Sequence, residues 1–288
     1  MSRSELRLSG LLVCAASLVA LYWPVLVKLF HDWATDDNYS HGFFIIPISA
    51  YFVWERRADL GLTPTRPSTV GLVVVMGGLA MLVAGLLGAE LFITRVSLVV
   101  VLSGAILFLA GWAVLRVLAL PVAFLLLMVP IPAILFNQLA FPLQIFASKF
   151  GETILNIVHI PVLREGNIIA LANTRLEVAE ACSGIRSLIS LLTLGIVYGY
   201  FTDPRPMVRT AIALSAIPIA IIANGGRVAG TGIAAHYYGP EVAQGFFHTF
   251  SGWLVFLVAF ALMFAVARLF LWIRPDRSVR GAVPAVAS

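Results

Sequence analysis

Long apolar runs, interrupted at short intervals by loops that carry arginine, constrain this chain more than any other feature. The runs are Leu8–Phe30, Gly42–Trp54, Thr69–Gly88, Leu91–Trp112, Val117–Phe136, Gly184–Phe201, Val208–Ala223 and Phe250–Ile273. Crossing the hydrocarbon core of a bilayer takes about 17–25 apolar residues, so the pattern predicts about eight transmembrane helices. The second run is short by this measure and is flanked by the interfacial aromatics Tyr39, Phe43, Phe44, Tyr51 and Trp54. Pro121, Pro130 and Pro132 should kink or end the fifth. Composition agrees, since 60% of the residues are hydrophobic and only 11% charged, against about a quarter charged in a soluble domain. Too little polar surface remains to cover a globule, and lipid must be the solvent. The first run is long and lacks a small-residue cleavage site, which reads as a spanning helix and not a cleavable signal.

The net charge of +5 does not indicate nucleic acid, because the 19 Lys and Arg are scattered in ones and twos between the runs. Arg3 and Arg7 precede the first run, and Arg56, Arg57 and Arg66 follow the second. Arg116 follows the fourth, Arg205 and Arg209 the sixth, and Arg274, Arg277 and Arg280 the eighth. With eight spans all of these fall on one side, which the positive-inside rule assigns to the cytoplasm together with both termini. The opposite segments are His31–His41, Ala89–Glu90, Asn137–Ser183 and Asn224–Thr249. Within the third, Leu139, Leu143, Phe146, Phe150, Ile154 and Ile157 recur every three or four residues, which predicts an amphipathic interfacial helix. After it, Val162–Leu163, Ile168–Leu171 and Leu176–Val178 read as short strands, turning at Glu165-Gly166-Asn167 and Ala172-Asn173-Thr174. Gly281–Ser288 reads as a frayed tail. The fold class that follows is an all-α polytopic membrane protein with a small extracytoplasmic interfacial helix and β-meander, forming a single domain over residues 1–288.

Two cysteines are present. Cys14 lies inside the first run and reads as a small packing hydrophobe. Cys182 sits at the outer start of the sixth run, at a different membrane depth, so the two do not readily form a disulfide. Helix N-terminal amides and Arg186, one turn on, would stabilise a thiolate there, while Glu177 and Glu180 oppose it. A nucleophile and a packing residue both remain open. All five histidines, His31, His41, His159, His236 and His248, fall in outer segments, so position does not select among them. Arg227 is placed where the seventh run ends, in the glycine-rich turn Asn224-Gly225-Gly226-Arg227-Val228, and either serves function at a costly depth or snorkels.

Read as longer patterns, these residues resemble a known family. Ala179-Glu180-Ala181-Cys182-Ser183-Gly184-Ile185-Arg186-Ser187-Leu188 resembles the cysteine motif of the exosortase/archaeosortase family. Asn224-Gly225-Gly226-Arg227-Val228 is similar to its arginine motif, and His248-Thr249-Phe250-Ser251-Gly252-Trp253 to its histidine motif. Asn38-Tyr39-Ser40-His41-Gly42 resembles an N-terminal motif of bacterial exosortases. The four stand in the family's order over a core of about residues 33–270. The resemblance implies a multi-spanning cysteine protease-transpeptidase acting, without cofactor or metal, on membrane-anchored secreted proteins. Their C-terminal sorting signals combine a Pro-Glu-Pro-type motif, a spanning helix and a basic cluster. It makes Cys182 the nucleophile, His248 the acid/base and Arg227 the stabiliser of anionic charge, with His41, Ser183, Arg186 and Asn224 as supporting or substrate-binding residues. It also implies a multi-pass protein of the cell inner membrane with its active site on the periplasmic face, an acceptor nucleophile left open, and no nucleic-acid partner.

Three rivals stand beside it. A cysteine-dependent membrane acyltransferase would use the same nucleophile on another substrate. A transporter would need polar groups at depth, where Arg95 is the main candidate. A zinc protease could draw on the outer histidines with Asp36, Asp37 and Glu241, but no His-Glu-x-x-His or Cys-x-x-Cys spacing exists.

Overall fold

The computed structural model describes residues 3–172, 174–178, 184–239, 241 and 246–273, with the backbone alone for 3–8, 11 and 246–249. The chain is an all-α membrane protein with one small sheet. Six of its helices are long and apolar enough to cross a bilayer, or seven if the broken helix over residues 119–157 crosses as one. Contacts divide the chain into two compact units, Met1–Ala133 and Ile134–Ser288.

The first unit contains α1 (Arg3–Thr35), α2 (Gly42–Glu55), α3 (Arg57–Leu62), α4 (Val70–Leu87), α5 (Leu91–Ala110), α6 (Trp112–Val117) and α7 (Ala119–Phe124), then a 3₁₀ turn over Leu125–Met128. Lipid gives helices no hydrophobic reason to associate, so close packing depends on small residues. Gly71, Gly78 and Gly85, seven apart on α4, supply it: a Cβ there would come within 2.2 Å of Phe108, 2.6 Å of Val101 and 2.7 Å of Thr94 on α5. The α1 helix buries Tyr22, Val25, Leu29 and Trp33 at helical spacing, while Leu12, Val19, Trp23 and Phe30 face outward. Cys14 also faces outward, toward lipid and not into a packed core. Arg95, buried on α5, forms an ion pair with Asp32, which also meets Lys28 at 3.0 Å. A charge neutralised in this way is a strut between α1 and α5, not the bare polar group a transport path needs.

Two apolar runs fall short of a straight span, as the length of one and the prolines of the other predict. The second is a helix of 14 residues, at 1.5 Å per residue about 21 Å long and shorter than the hydrocarbon core. The run over 117–136 is no single span. After α6 it breaks into α7 and the 3₁₀ turn, and helix resumes only at Ala133, because prolines at 130 and 132 remove amide donors and oppose helix in the residues before them.

The second unit contains α8 (Ala133–Ile157), β1 (Val162–Glu165), β2 (Ile168–Leu171), β3 (Arg175–Glu177), α9 (Ile185–Thr202), α10 (Pro206–Tyr238) and α11 (Phe246–Ile273). The strands form an antiparallel sheet in the order β1-β2-β3. The expected interfacial helix is α8, and three residues of the apolar stripe that revealed it face outward: Leu139, Phe146 and Ile157 are 57%, 61% and 68% exposed. Its inward face is built from Phe136, Ala140, Gln144, Ala147, Ser148, Gly151 and Leu155, the inversion that lipid as solvent allows.

Helix α10 joins two cores. Ala216, Ile219 and Ala220 pack with Leu191 of α9 and with Ala259 and Met263 of α11. Further along, Val228 and Ala235 pack with Ala147 and Leu155 of α8 and with Ile169 and Leu171 of the sheet. The expected end of this span at Ala223 is therefore corrected: α10 continues unbroken for 33 residues. Gly225 and Gly232 are packing sites within the helix, not a turn. A Cβ at Gly225 would lie 2.5 Å from the Phe150 ring, and one at Gly232 would lie 2.8 Å from Leu155. Between α9 and α10, buried Asp203 binds Arg205 at 2.6 Å, and its carbonyl oxygen accepts from Arg209 at 2.5 Å. The Arg205 guanidinium holds the Asp203 carboxyl below its ordinary range.

Candidate active site

Position 184 is where the cysteine motif meets the rest of the second unit. Gly184 has φ +79 and caps the start of α9. Only glycine takes this left-handed conformation without strain. Space is equally restrictive, since a Cβ at 184 would lie 2.9–3.0 Å from the side chain of Asn224. Asn224, 5% exposed, thus presses directly against the peptide that follows Cys182 and Ser183. Those two residues lie outside the described residues. Arg186 stands exposed on the first turn of α9.

One turn beyond Asn224 on α10, and on the same face by its i,i+3 spacing, half-buried Arg227 turns to α11. Its Nε–H donates to Ser251 Oγ at 3.4 Å. A Cβ at Gly252 would come within 3.2 Å of an Arg227 terminal nitrogen, so that glycine leaves the room the guanidinium fills. Ser251 and Gly252 belong to the histidine motif. His248 lies in the first turn of α11, its side chain outside the described residues. Helical spacing puts positions 248 and 251 on one face. Within four residues of α10, Asn224 therefore touches the cysteine motif at Gly184 and Arg227 touches the histidine motif. Arg227 sits inside a helix, and it is the helix that aims both residues.

The remaining histidines have other surroundings. His31 is exposed on α1. His159 is exposed at φ +63, with its Nδ1 3.0 Å from the Ile157 oxygen. His236 is in the last turn of α10, its ring edge-on to Tyr237. Among the described residues, no group of three or more His, Cys, Asp or Glu is arranged to hold a metal ion.

His41 belongs to the first unit, where the surroundings of its motif are clear. The broken helix over 117–131 has carbonyls without helical partners, and in a membrane each must find a donor. Trp33 Nε1–H donates to Met128 at 2.9 Å, Tyr39 Oη–H to Ile131 at 3.2 Å and Ser49 Oγ–H to Pro121 at 2.8 Å. Arg56 donates to Val117. His41 Nε2 lies 3.1 Å from the Leu127 oxygen, which can only accept. Gly42 completes the clamp, since a Cβ there would overlap the Trp33 ring at 2.4 Å. Burial holds the His41 imidazole below its ordinary range, against the pull of the Leu127 and Asn38 carbonyls. Burial likewise raises the Tyr39 phenol, with Asp36 adding to it.

Reading by motif did not single out Ser251 and Gly252 as the seat of Arg227, or Trp33, Ser49 and Arg56 as donors to a broken helix. The prolines at 130 and 132 were the available signal for the second set, because they announce carbonyls in need of partners. The family model described as transmembrane exosortase matches residues 33–265 of the chain. No curated protein and no solved structure matches it.

Proposed function

This chain belongs to the transmembrane exosortase family, a membrane protein-sorting enzyme in general terms, and from that premise we propose a cysteine protease-transpeptidase. It cleaves C-terminal sorting signals of membrane-anchored secreted proteins, with Cys182 as nucleophile, His248 as acid/base and Arg227 as stabiliser of the oxyanion. One observation carries the reading: Asn224 and Arg227, one turn apart on α10, touch the cysteine motif at Gly184 and the histidine motif at Ser251 and Gly252. Residues far apart in sequence and alike in implied chemistry thus meet at one place.

The steps follow from that arrangement. His248 takes the Cys182 thiol proton, and the sulfur attacks a backbone carbonyl of the sorting signal. The carbonyl electrons move onto oxygen, where the Arg227 guanidinium offsets the charge. Collapse breaks the C–N bond. The departing amine, on the fragment that bears the spanning helix, takes the proton back from His248. A thioester on Cys182 remains until an acceptor amine or water attacks it and frees the thiol. The start of α9 beside Cys182 favours the thiolate. A substrate helix held in the same bilayer keeps the scissile bond at one height, a proximity that replaces a large soluble groove. An extracytoplasmic site in the cell inner membrane accords with the eight-span count, under which the arginine-bearing loops fall on one side.

The test is processing of a tagged fusion bearing a Pro-Glu-Pro segment, a spanning helix and a basic cluster. Cys182→Ala abolishes it, while Cys14→Ala, altered only on the lipid-facing side of α1, leaves it intact. Processing by a stably inserted Cys182→Ala enzyme removes the nucleophile assignment.

A further inference from the structure

Strand β3 ends five residues before Cys182 and carries an open edge. Leu171 N–H donates to the Thr174 oxygen at 2.8 Å, and Val178 N–H to the Asn167 oxygen at 2.9 Å. The register pairs Ile168 with Glu177, Ile169 with Leu176 and Ala170 with Arg175. Hydrogen-bonded and non-bonded pairs alternate in an antiparallel ladder, so β3 bonds to β2 through Leu176 and through the flanking residues 174 and 178. The N–H and C=O groups of Arg175 and Glu177 point the other way. The sheet order ends at β3, both residues are exposed, and among the described residues neither backbone has a partner on that side. Val178 faces β2 again: its N–H donates to the Asn167 oxygen, and its C=O accepts from Asn167 Nδ2 at 3.2 Å. Ser148 fastens the β1–β2 turn to α8 by donating to the Gly166 oxygen at 3.0 Å.

We propose that this edge is the docking site for the extended stretch of the polypeptide substrate next to its scissile bond, which adds a fourth strand beside β3. The assignment rests on the reading of Cys182 as the nucleophile. The occupant follows from continuity: a protein-sorting enzyme acts on polypeptide, and the edge is the length of chain leading into the attacking residue. At about 3.3 Å per residue the five residues from Glu177 to Cys182 span at most about 17 Å, the reach of a few residues of bound strand. Main-chain hydrogen bonds supply affinity with little demand on side chains. A guest strand uses the N–H of only every second residue, so prolines one residue apart fit when their nitrogens face away from β3.

The test reads binding, not cleavage, with full-length Cys182→Ala enzyme in detergent and the tagged fusion as probe. Backbone esters are placed one at a time at the Glu of its Pro-Glu-Pro segment and at the non-proline residues on either side, each replacing one N–H by oxygen. A loss of affinity that recurs with a period of two, about tenfold at in-phase positions and absent between them, is the expected result. Glu177→Pro, which deletes one edge N–H in the same background, gives a matching loss. Uniform affinity across the ester series overturns the proposal, and because the series leaves the enzyme unaltered, it remains decisive even where Glu177→Pro misfolds. The two readings fail separately: retained processing by Cys182→Ala removes the nucleophile and leaves the binding result standing, and a flat ester series does the reverse.

Discussion

The two units use polar side chains for different ends. In Met1–Ala133 the indole of Trp33, the phenol of Tyr39, the imidazole of His41, the hydroxyl of Ser49 and the guanidinium of Arg56 each meet a main-chain carbonyl of one broken helix. In Ile134–Ser288 Asn224 lies against a glycine peptide and Arg227 bonds a serine hydroxyl, both beside residues of other motifs. The first set answers a need that lipid imposes, since a carbonyl left bare in hydrocarbon costs several kcal/mol. No broken helix explains the second set, because α10 is continuous where Asn224 and Arg227 stand. A polar residue in a membrane protein thus signals function most clearly where the local backbone needs nothing from it.

Substitutions at the centre of the second unit should separate the two regions most sharply. His248→Ala is expected to lower substrate processing by about 10²-fold or more, the usual worth of an acid/base, while His31→Ala, His159→Ala and His236→Ala keep most activity at matched enzyme levels. An inactive His236→Ala beside a normal His248→Ala would move the third role to His236. Arg227→Lys retains charge but loses the planar fork, and is expected to cost about 10²-fold in kcat with normal membrane insertion. Ser251→Ala, which removes the hydroxyl that accepts from Arg227 Nε–H, should cost about tenfold or less. An equal loss at Ser251 would mean that positioning, not charge, is what Arg227 supplies.

Smaller effects probe structure. Gly184→Ala meets both a left-handed backbone and Asn224, and should destabilise by about 1–3 kcal/mol. Pairing it with Asn224→Ala should restore part of the melting temperature, by removing the clash but not the strain. In the first unit the expected signature is a pH dependence. Because burial depresses the His41 pKa, the unfolded chain binds the proton more readily than the folded one. The contribution of His41 is then whole above about pH 6.5 and declines as the pH falls toward the folded-state value. Thermal melts from about pH 7.5 downward should show that decline in wild type and a flatter profile in His41→Gln.

Apolar periodicity made the spans, the α8 helix and the strands legible, because each rests on a repeat that side chains alone declare. One error has a clear cause. The Gly225-Gly226 pair read as a turn, whereas Gly225 lies within α10 and packs against Phe150 of α8. In lipid the packing face is the small-residue face, which hydropathy does not see. The site was legible only as separate motifs. That Arg227 rests on Ser251 and Gly184 on Asn224 depends on how α9, α10 and α11 cross, and no local pattern encodes a crossing.

The central claim is that these motifs serve a covalent step on Cys182, and mass spectrometry of the enzyme isolated during turnover tests it most directly. Wild-type enzyme co-expressed with the tagged fusion, quenched in acid and digested, should yield the peptide containing Cys182 with the amino-terminal part of the cleaved fusion attached as a hydroxylamine-sensitive thioester. Cys182→Ala should yield neither adduct nor cleaved product. Cleaved fusion accumulating in Cys182→Ala cells at the wild-type rate would contradict the account.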